Sequence, residues 1–288
     1  MGGALVGAGR HVGIVGLGLM GGSMAMGLSS VPGVSVWGWD LDRGTLDRAR
    51  SMGILDGAAR DLGELAERCH LVILAVPPWE VIPLAMELSP SFRGFVMDLS
   101  SVKGPLAFQL DRLFPGRYLG FHPMAGKETG GLESASGDLF KGAVCVLVPG
   151  PSSGDEAVAL GRELASWLGA RWILLGPGEH DRAAAVVSHL PMLISLGLME
   201  LARRRDQGGG AFGMAAGSFR DATRVSMSQP WLLAQVLSMN RGSVKEVLGE
   251  LCSILGELAS MDQGDLEDLA GELGSLRRRL GEEKGWSC

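Results

Sequence analysis

Val12-Gly13-Ile14-Val15-Gly16-Leu17-Gly18-Leu19-Met20-Gly21-Gly22-Ser23 is the stretch that decides the fold of this chain. Four short apolar residues read as a buried strand, and the spacing Gly16-x-Gly18-x-x-Gly21 follows directly. Gly16 permits a tight turn, Gly18 lets the backbone approach a pyrophosphate, and Gly21 lets the next helix pack closely on the strand. Leu19 and Met20 open that helix, whose free N–H groups and positive dipole end would face the phosphates. The glycine spacing alone is weak in a chain with 45 glycines. Its context is what carries it: a strand before, a helix after, and a second strand ending at Asp40, about 20 residues on, where an acid is expected. Asp40 would accept hydrogen bonds from the adenosine ribose hydroxyls and repel a 2′-phosphate, which favours NAD over NADP. Arg43 stands close enough to pair such a phosphate and softens that preference, and Asp40 read as a strand-end cap is the alternative.

The same pattern continues outward. Short apolar runs bounded by Gly, Pro or Asp predict strands at Val12–Val15, Val34–Trp39, Leu71–Ala75, Phe95–Leu99, Tyr118–Phe121, Ala143–Val148 and Trp172–Leu175. Helical periodicity lies between them, at Gly22–Ser29, Leu41–Met52 and about Asp155–Leu168. This alternation predicts a mostly parallel sheet with helices on both faces. Val76 and Pro77, at the end of one strand, are placed on the nicotinamide side of the cleft, or else simply terminate the strand. After Gly176-Pro177-Gly178 no convincing strand follows, and apolar residues recur at helical spacing in Ala183–Leu201, Trp231–Met239, Val244–Leu258 and Leu266–Leu280. Val186 to Met199 is apolar on nearly all sides, the signature of a buried helix, often against another subunit. The expected architecture is therefore α/β: a Rossmann-type dinucleotide-binding domain over residues 1–176, with 1–10 a flexible lead-in. An all-α domain over 177–288 follows, which holds substrate and forms a homodimer.

Bulk properties narrow the partners. The net charge is −6, and the only basic clusters, Arg203–Arg205 and Arg277–Arg279, read as solvated helix ends, so no nucleic acid is expected. Four scattered cysteines, Cys69, Cys145, Cys252 and Cys288, form no Cys-x-x-Cys and fit reduced thiols in a cytoplasm, with no metal site. No uninterrupted apolar run approaches a membrane span, and the first residues lack the charged and apolar regions of a signal peptide, so no membrane association is expected.

Three segments carry polar residues that core packing does not explain. They are Asp98-Leu99-Ser100-Ser101-Val102-Lys103-Gly104, then Gly120-Phe121-His122-Pro123-Met124-Ala125-Gly126-Lys127-Glu128, and Ser218-Phe219-Arg220-Asp221-Ala222-Thr223-Arg224. Imidazole is the side chain best suited to moving a proton near neutral pH, and proline with small residues behind His122 would hold it on a rigid loop. Arginine suits a carboxylate because its fork pairs two oxygens at once. Each residue also has a purely structural reading. His122 could cap a loop, Ser101 could cap a helix before Lys103-Gly104, and Arg224 could bridge domains. Glu128 and Arg220 could be surface charges, His180 with Asp181 could cap a helix, and His189 could be a satisfied core histidine. Lys103 has no firm role.

In order and spacing, the glycine fingerprint with Gly-Gly-Ser resembles the prephenate/arogenate dehydrogenase family, together with Asp-x-x-Ser-Val-Lys, His-Pro-Met-Ala-Gly-x-Glu, Ser-His-Leu-Pro and Phe-Arg-Asp-x-Thr-Arg. The likeness runs from about Val12 to the last helices. It implies an NAD-dependent oxidative decarboxylation of prephenate in tyrosine biosynthesis; because the chain ends soon after the helices, no appended regulatory domain is expected. His122 then matches the histidine that takes the ring hydroxyl proton, and Ser101 the serine bridging hydroxyl, histidine and nicotinamide. Arg224 matches the arginine that binds a substrate carboxylate. Glu128 and Arg220 match residues at the site's entrance, and His180 a structural or rim histidine. Many prephenate-using relatives read His-Leu-Pro-His, whereas here Met192 follows Pro191. A thioether cannot donate to a carboxylate, which opens arogenate as the alternative substrate. Lys127 argues against it, since a cation opposes arogenate's ammonium. A β-hydroxyacid dehydrogenase shares the glycine opening but needs a helical lysine that Arg182–Met199 lacks. A dinucleotide-sensing binding protein would not need His122, Ser101 and Arg224 together.

Overall fold

The computed structural model describes residues 10–285, so the lead-in expected at 1–10 lies outside the described residues except for Arg10. Arg10 already belongs to the first strand. Eight strands form one sheet: β1 Arg10–Val15, β2 Val34–Trp39, β3 Gly57–Ala58, β4 Leu71–Leu74, β5 Phe95–Asp98, β6 Tyr118–Pro123, β7 Val144–Pro149 and β8 Arg171–Leu174. Their order is β3-β2-β1-β4-β5-β6-β7-β8, and every pairing is parallel except β6 with β7. The sheet reverses direction of growth between β1 and β4, so the loops after Val15 and Leu74 open a crevice at the carboxyl edge. The central strands β1, β4 and β5 are mostly apolar because both faces are covered, whereas β8, at the end of the sheet, is exposed along its length. Ile14, Ile73 and Met97 point to one layer of helices, while Val15, Val72 and Val96 point to the other, as the two-residue period of a strand requires.

The first layer contains α1 Leu19–Ser29, α2 Arg43–Ser51 and, further on, α6 Asp155–Trp167. The second contains α3 Leu62–Arg68, α4 Pro78–Leu88 and α5 Gly104–Leu113. After β8 the chain is helical to its last described residue: α7 Pro177–Ala184, a π-helical turn Ala185–His189, α8 Leu190–Arg205, α9 Gly210–Gly213, α10 Gly217–Thr223, α11 Pro230–Met239, α12 Arg241–Ser260 and α13 Gln263–Lys284. A Rossmann-like sheet followed by helices is thus the observed fold class. The molecule divides into two compact units, one through Val244 and one from Lys245 onward. In the second unit Ile254, Leu255, Leu266, Leu273 and Leu276 are all exposed.

Two expectations change. Pro177–Arg205 runs as one continuous helix, longer than the Ala183–Leu201 stretch expected from the sequence, and it is long and apolar enough by length and composition to cross a membrane. The π turn and Pro191 at the start of α8 do not interrupt it. Within the single chain it is only partly buried, with Ala185, Leu190 and Ser195 covered but Val186 and Val187 54% and 65% exposed. Periodicity recognised an apolar helix correctly, but a single chain supplies too few neighbours to cover it.

Candidate active site

At the crevice, the turn after β1 is held in the form the glycine spacing predicts. Gly16 has φ +90°, and a Cβ there would fall 2.7 Å from the carbonyl oxygen of Ala75. A Cβ on Gly21 would fall 1.8 Å from the Gly16 oxygen, so α1 packs on the turn only with glycine present. Gly18 differs, because a Cβ there meets nothing within 4 Å. It precedes an α1 with no side-chain cap and no acidic residue in its first turn, so Leu19 and Met20 begin a helix whose N–H groups remain available. Asp40 reaches this turn from β2. Its Oδ2 accepts from Leu17 N at 2.7 Å and its Oδ1 from Asp42 N at 2.8 Å. Arg43 turns away from the turn, and its Nη2 donates to the Arg60 carbonyl at 2.7 Å. Val76 packs close to Gly16, and Pro77 precedes α4, whose Trp79 N–H meets Gln235 Oε1 at 3.3 Å. An open glycine approach, an uncapped helix start and a carboxylate at the end of the second strand fit a dinucleotide.

The reacting end lies two strands further along the same edge. His122 is part of β6, not of a loop, because antiparallel β7 extends the ladder and sets His122 opposite Val146. Its ring is buried, and its Nδ1 is 2.8 Å from Nε2 of His180. The chain continues, with His180 Nδ1 2.7 Å from Asp181 Oδ1. Asp181 also accepts the backbone N–H groups of Lys103 and Gly104, each at 2.8 Å. Burial chiefly, and beside it the positive charge of Lys103, holds the pKa of His122 well below the usual histidine value. Burial works against ionising Asp181, but hydrogen bonds from His180, Lys103 and Gly104 outweigh it and keep its pKa below the ordinary carboxylate value. His122 is therefore neutral and Asp181 charged at neutral pH.

Beneath this chain sits a second buried group. Lys103 and Asp98 are both fully buried and paired at 2.7 Å, and Lys103 Nζ also donates to the Asp98 carbonyl at 2.8 Å. Tyr118 donates its hydroxyl to Asp98 Oδ2 at 2.8 Å, and Ser100 N donates to Oδ1 at 3.0 Å. This cluster fixes the turn that carries Ser101. Ser101 does not cap α5, since Asp181 supplies the acceptor for that helix start. His189 is buried with its Nδ1 3.0 Å from Asn240 Nδ2, which also donates to the Asp181 carbonyl at 2.7 Å. Burial chiefly lowers the His189 pKa to about 4.

The remaining expected residues divide. Glu128 and Arg224 form an ion pair, 38% and 57% exposed, that ties the segment after β6 to the turn after α10. Lys127 points into its own loop and donates to the Ser134 carbonyl at 2.7 Å. Arg220 pairs with its neighbour Asp221 at 2.9 Å on an exposed surface. Met192 lies in the first turn of α8, half-buried. Sequence reading singled out neither Asp181, Asn240, Asp98 nor Tyr118 as site residues, and gave Lys103 no role. One signal was available: a lysine amid Val102 and Gly104-Pro105, just before an apolar helix, is poorly explained as a surface charge.

Comparison with known proteins adds to this geometry. Residues 28–174 match the family described as "Prephenate dehydrogenase, nucleotide-binding domain", and residues 176–275 the one described as "Prephenate dehydrogenase, dimerization domain". A prephenate dehydrogenase of Bacillus subtilis is 28% identical over 247 residues, covering 82% of this chain and 66% of the relative. This chain thus spans just under two thirds of that relative's length. Among solved structures, prephenate dehydrogenase from A. aeolicus in complex with hydroxyphenyl propionate and NAD+ superposes with a TM-score of 0.89 at 25% identity, covering 96% of this chain and 99% of that one. Arogenate dehydrogenase from Synechocystis superposes with a TM-score of 0.83 at 28% identity, covering 94% and 100%.

Proposed function

The chain belongs to the prephenate dehydrogenase family, and from that premise we propose that it catalyses the NAD-dependent oxidative decarboxylation of prephenate to 4-hydroxyphenylpyruvate. One observation carries the reading. His122 is a buried, neutral imidazole whose Nδ1 is committed to His180, leaving Nε2 with no protein partner among the described residues. That is the state required of a base awaiting a substrate hydroxyl. NAD, when bound along Gly16, Gly18, Leu19, Met20 and Gly21 with Asp40 on its ribose, supplies the hydride acceptor. Arg43, drawn off to the Arg60 carbonyl, is not set to receive a 2′-phosphate, which supports NAD over NADP.

The net reaction releases carbon dioxide and forms NADH with no net proton change, because the product phenol keeps the hydrogen of the substrate hydroxyl. His122 therefore works in both directions within one turnover. It takes the hydroxyl proton as hydride leaves the carbinol carbon. The bond to the ring carboxylate then breaks, its electron pair enters the ring, and His122 returns the proton to the phenolate oxygen. Aromatisation drives the sequence forward. Ser101, on the turn held by Asp98 and Lys103, bridges hydroxyl and His122. Arg224 binds a substrate carboxylate in place of Glu128, and such pairing also aligns the carbinol carbon. The dinucleotide part extends to Gly176, and the helices from Pro177 onward hold substrate and form the homodimer. Exposed Val186 and Val187 in one unit, and exposed Leu273 and Leu276 in the other, support burial against a second copy.

Arogenate is the second reading, favoured by Met192 and by the engagement of Lys127 with Ser134, which removes that cation's objection to an ammonium. The test is NADH absorbance on mixing the protein with NAD and prephenate, then arogenate. Turnover of prephenate at the higher kcat/KM is expected; turnover of neither substrate refutes the assignment.

A further inference from the structure

The hydrogen bonds around His122 have a direction that can be worked out donor by donor. Asp181 is acceptor-only when ionised, and it takes three donors: Lys103 N, Gly104 N and His180 Nδ1. The close approach of its carboxylate to the start of α5 depends on Gly104, where a Cβ would fall 2.7 Å from Asp181 Oδ2. Asn240 fastens the Asp181 main chain from the end of α11. His180 must therefore carry its proton on Nδ1. Its neutral form then presents a bare Nε2 lone pair to His122 Nδ1, 2.8 Å away. A hydrogen bond at that distance needs one donor, and only His122 Nδ1–H can supply it. The opposite ring nitrogen of His122 is then bare.

We propose that His180 and Asp181 are positioning residues that fix His122 in its Nδ1–H tautomer and stabilise the imidazolium formed when it takes up the substrate proton. This rests on the reading of His122 as the proton acceptor. The stabilisation works through one intervening ring. As Nε2 of His122 gains a proton, its Nδ1–H donates more strongly to His180, and His180 in turn to the anionic Asp181. No bond other than the Nε2–H bond forms or breaks at His122, and the proton leaves by the same nitrogen when the phenolate reclaims it. The need is clear from the surroundings. Lys103, paired to Asp98 beside Tyr118, and His189 both face this ring, and neither offers it negative charge. Asp181 is the anion on its line of hydrogen bonds.

Two measurements test this on the intact protein with NAD bound. The first is the 15N chemical shifts of His122 in histidine-labelled wild-type protein. A protonated Nδ1 and a bare Nε2 are expected, and the opposite tautomer overturns the proposal whatever any variant does. The second compares His180→Leu with His180→Gln. His180→Leu should lower kcat by about 10²–10⁴-fold with KM changed by less than about threefold. His180→Gln keeps an oxygen able to accept from Nδ1–H and should recover at least about tenfold of that loss. In His180→Leu the acid limb of kcat should move to lower pH, because the His122 imidazole protonates less readily when its imidazolium has lost its hydrogen-bond partner. A residue serving only to fill space would alter thermal stability and KM without moving that limb. If wild type turns over and His180→Leu keeps the wild-type kcat and limb, the positioning role fails alone. If wild type turns over neither substrate, the functional assignment fails first, while the tautomer is still read from the spectrum.

Discussion

Replacing Lys103 by methionine isolates the energetics of the buried floor of the site. Methionine retains much of the aliphatic volume, so the main loss is charge and hydrogen bonding. Asp98 then keeps donors from Ser100 N and Tyr118 but has no counter-ion at zero exposure. Removing one partner of a buried pair typically costs about 3–5 kcal/mol. The penalty has a ceiling, because an orphaned carboxylate can take a proton. For a carboxyl titrating near 3.9 in the unfolded chain, that costs about 4 kcal/mol at pH 7 and about 1.5 kcal/mol at pH 5. The variant should therefore lose about 3–4 kcal/mol at pH 7 and about 1.5 kcal/mol at pH 5. The sign follows from an acid raised in the folded state, whose penalty is present above its unfolded pKa and shrinks as pH falls. Urea unfolding at both pH values measures this, with the midpoint moving and the slope unchanged. A loss below about 1 kcal/mol at pH 7, or one equal at both pH values, would refute the argument and point to packing alone.

Arg224→Ala should raise KM by the equivalent of about 2–4 kcal/mol with a smaller change in kcat. Glu128→Gln should instead lower KM, since it frees the guanidinium it now holds, and steady-state kinetics of both variants check this. Gly18→Val places its Cβ where nothing beyond its neighbouring residues lies within 4 Å. Its melting temperature should stay close to wild type while the NAD Kd rises at least about tenfold, as calorimetry would report; unchanged NAD affinity would move the pyrophosphate elsewhere.

What could be read in advance was whatever local rules govern. Strand positions such as Val34–Trp39 follow from alternation and flanking glycines, and the glycine turn declares its own geometry through Gly16. His122 was recognisable as a reactive imidazole, but its place in β6 was not, because antiparallel pairing with β7 is a long-range choice. The same limit hid Asp181. A carboxylate next to a histidine at a helix start looks like a local cap, and here it caps a different helix, 77 residues away at Gly104. Lys103 was opaque for a related reason: only the fold reveals that Asp98, five residues back, is buried with it.

The π-helical turn Ala185–His189 sets the angular phase of the long helix. His180 and His189 are nine residues apart, and at 3.6 residues per turn they would point to roughly opposite sides. The wider turn between them slows the rotation, so that one residue, Asn240, reaches both the carbonyl of Asp181 and the ring of His189. Removing a single residue from this turn would restore a regular helix with the same composition and nearly the same hydrophobic surface. It would also swing everything beyond it, including Met192, out of register with the histidine chain, so the helix encodes part of the site's geometry in its count of residues rather than in their identity.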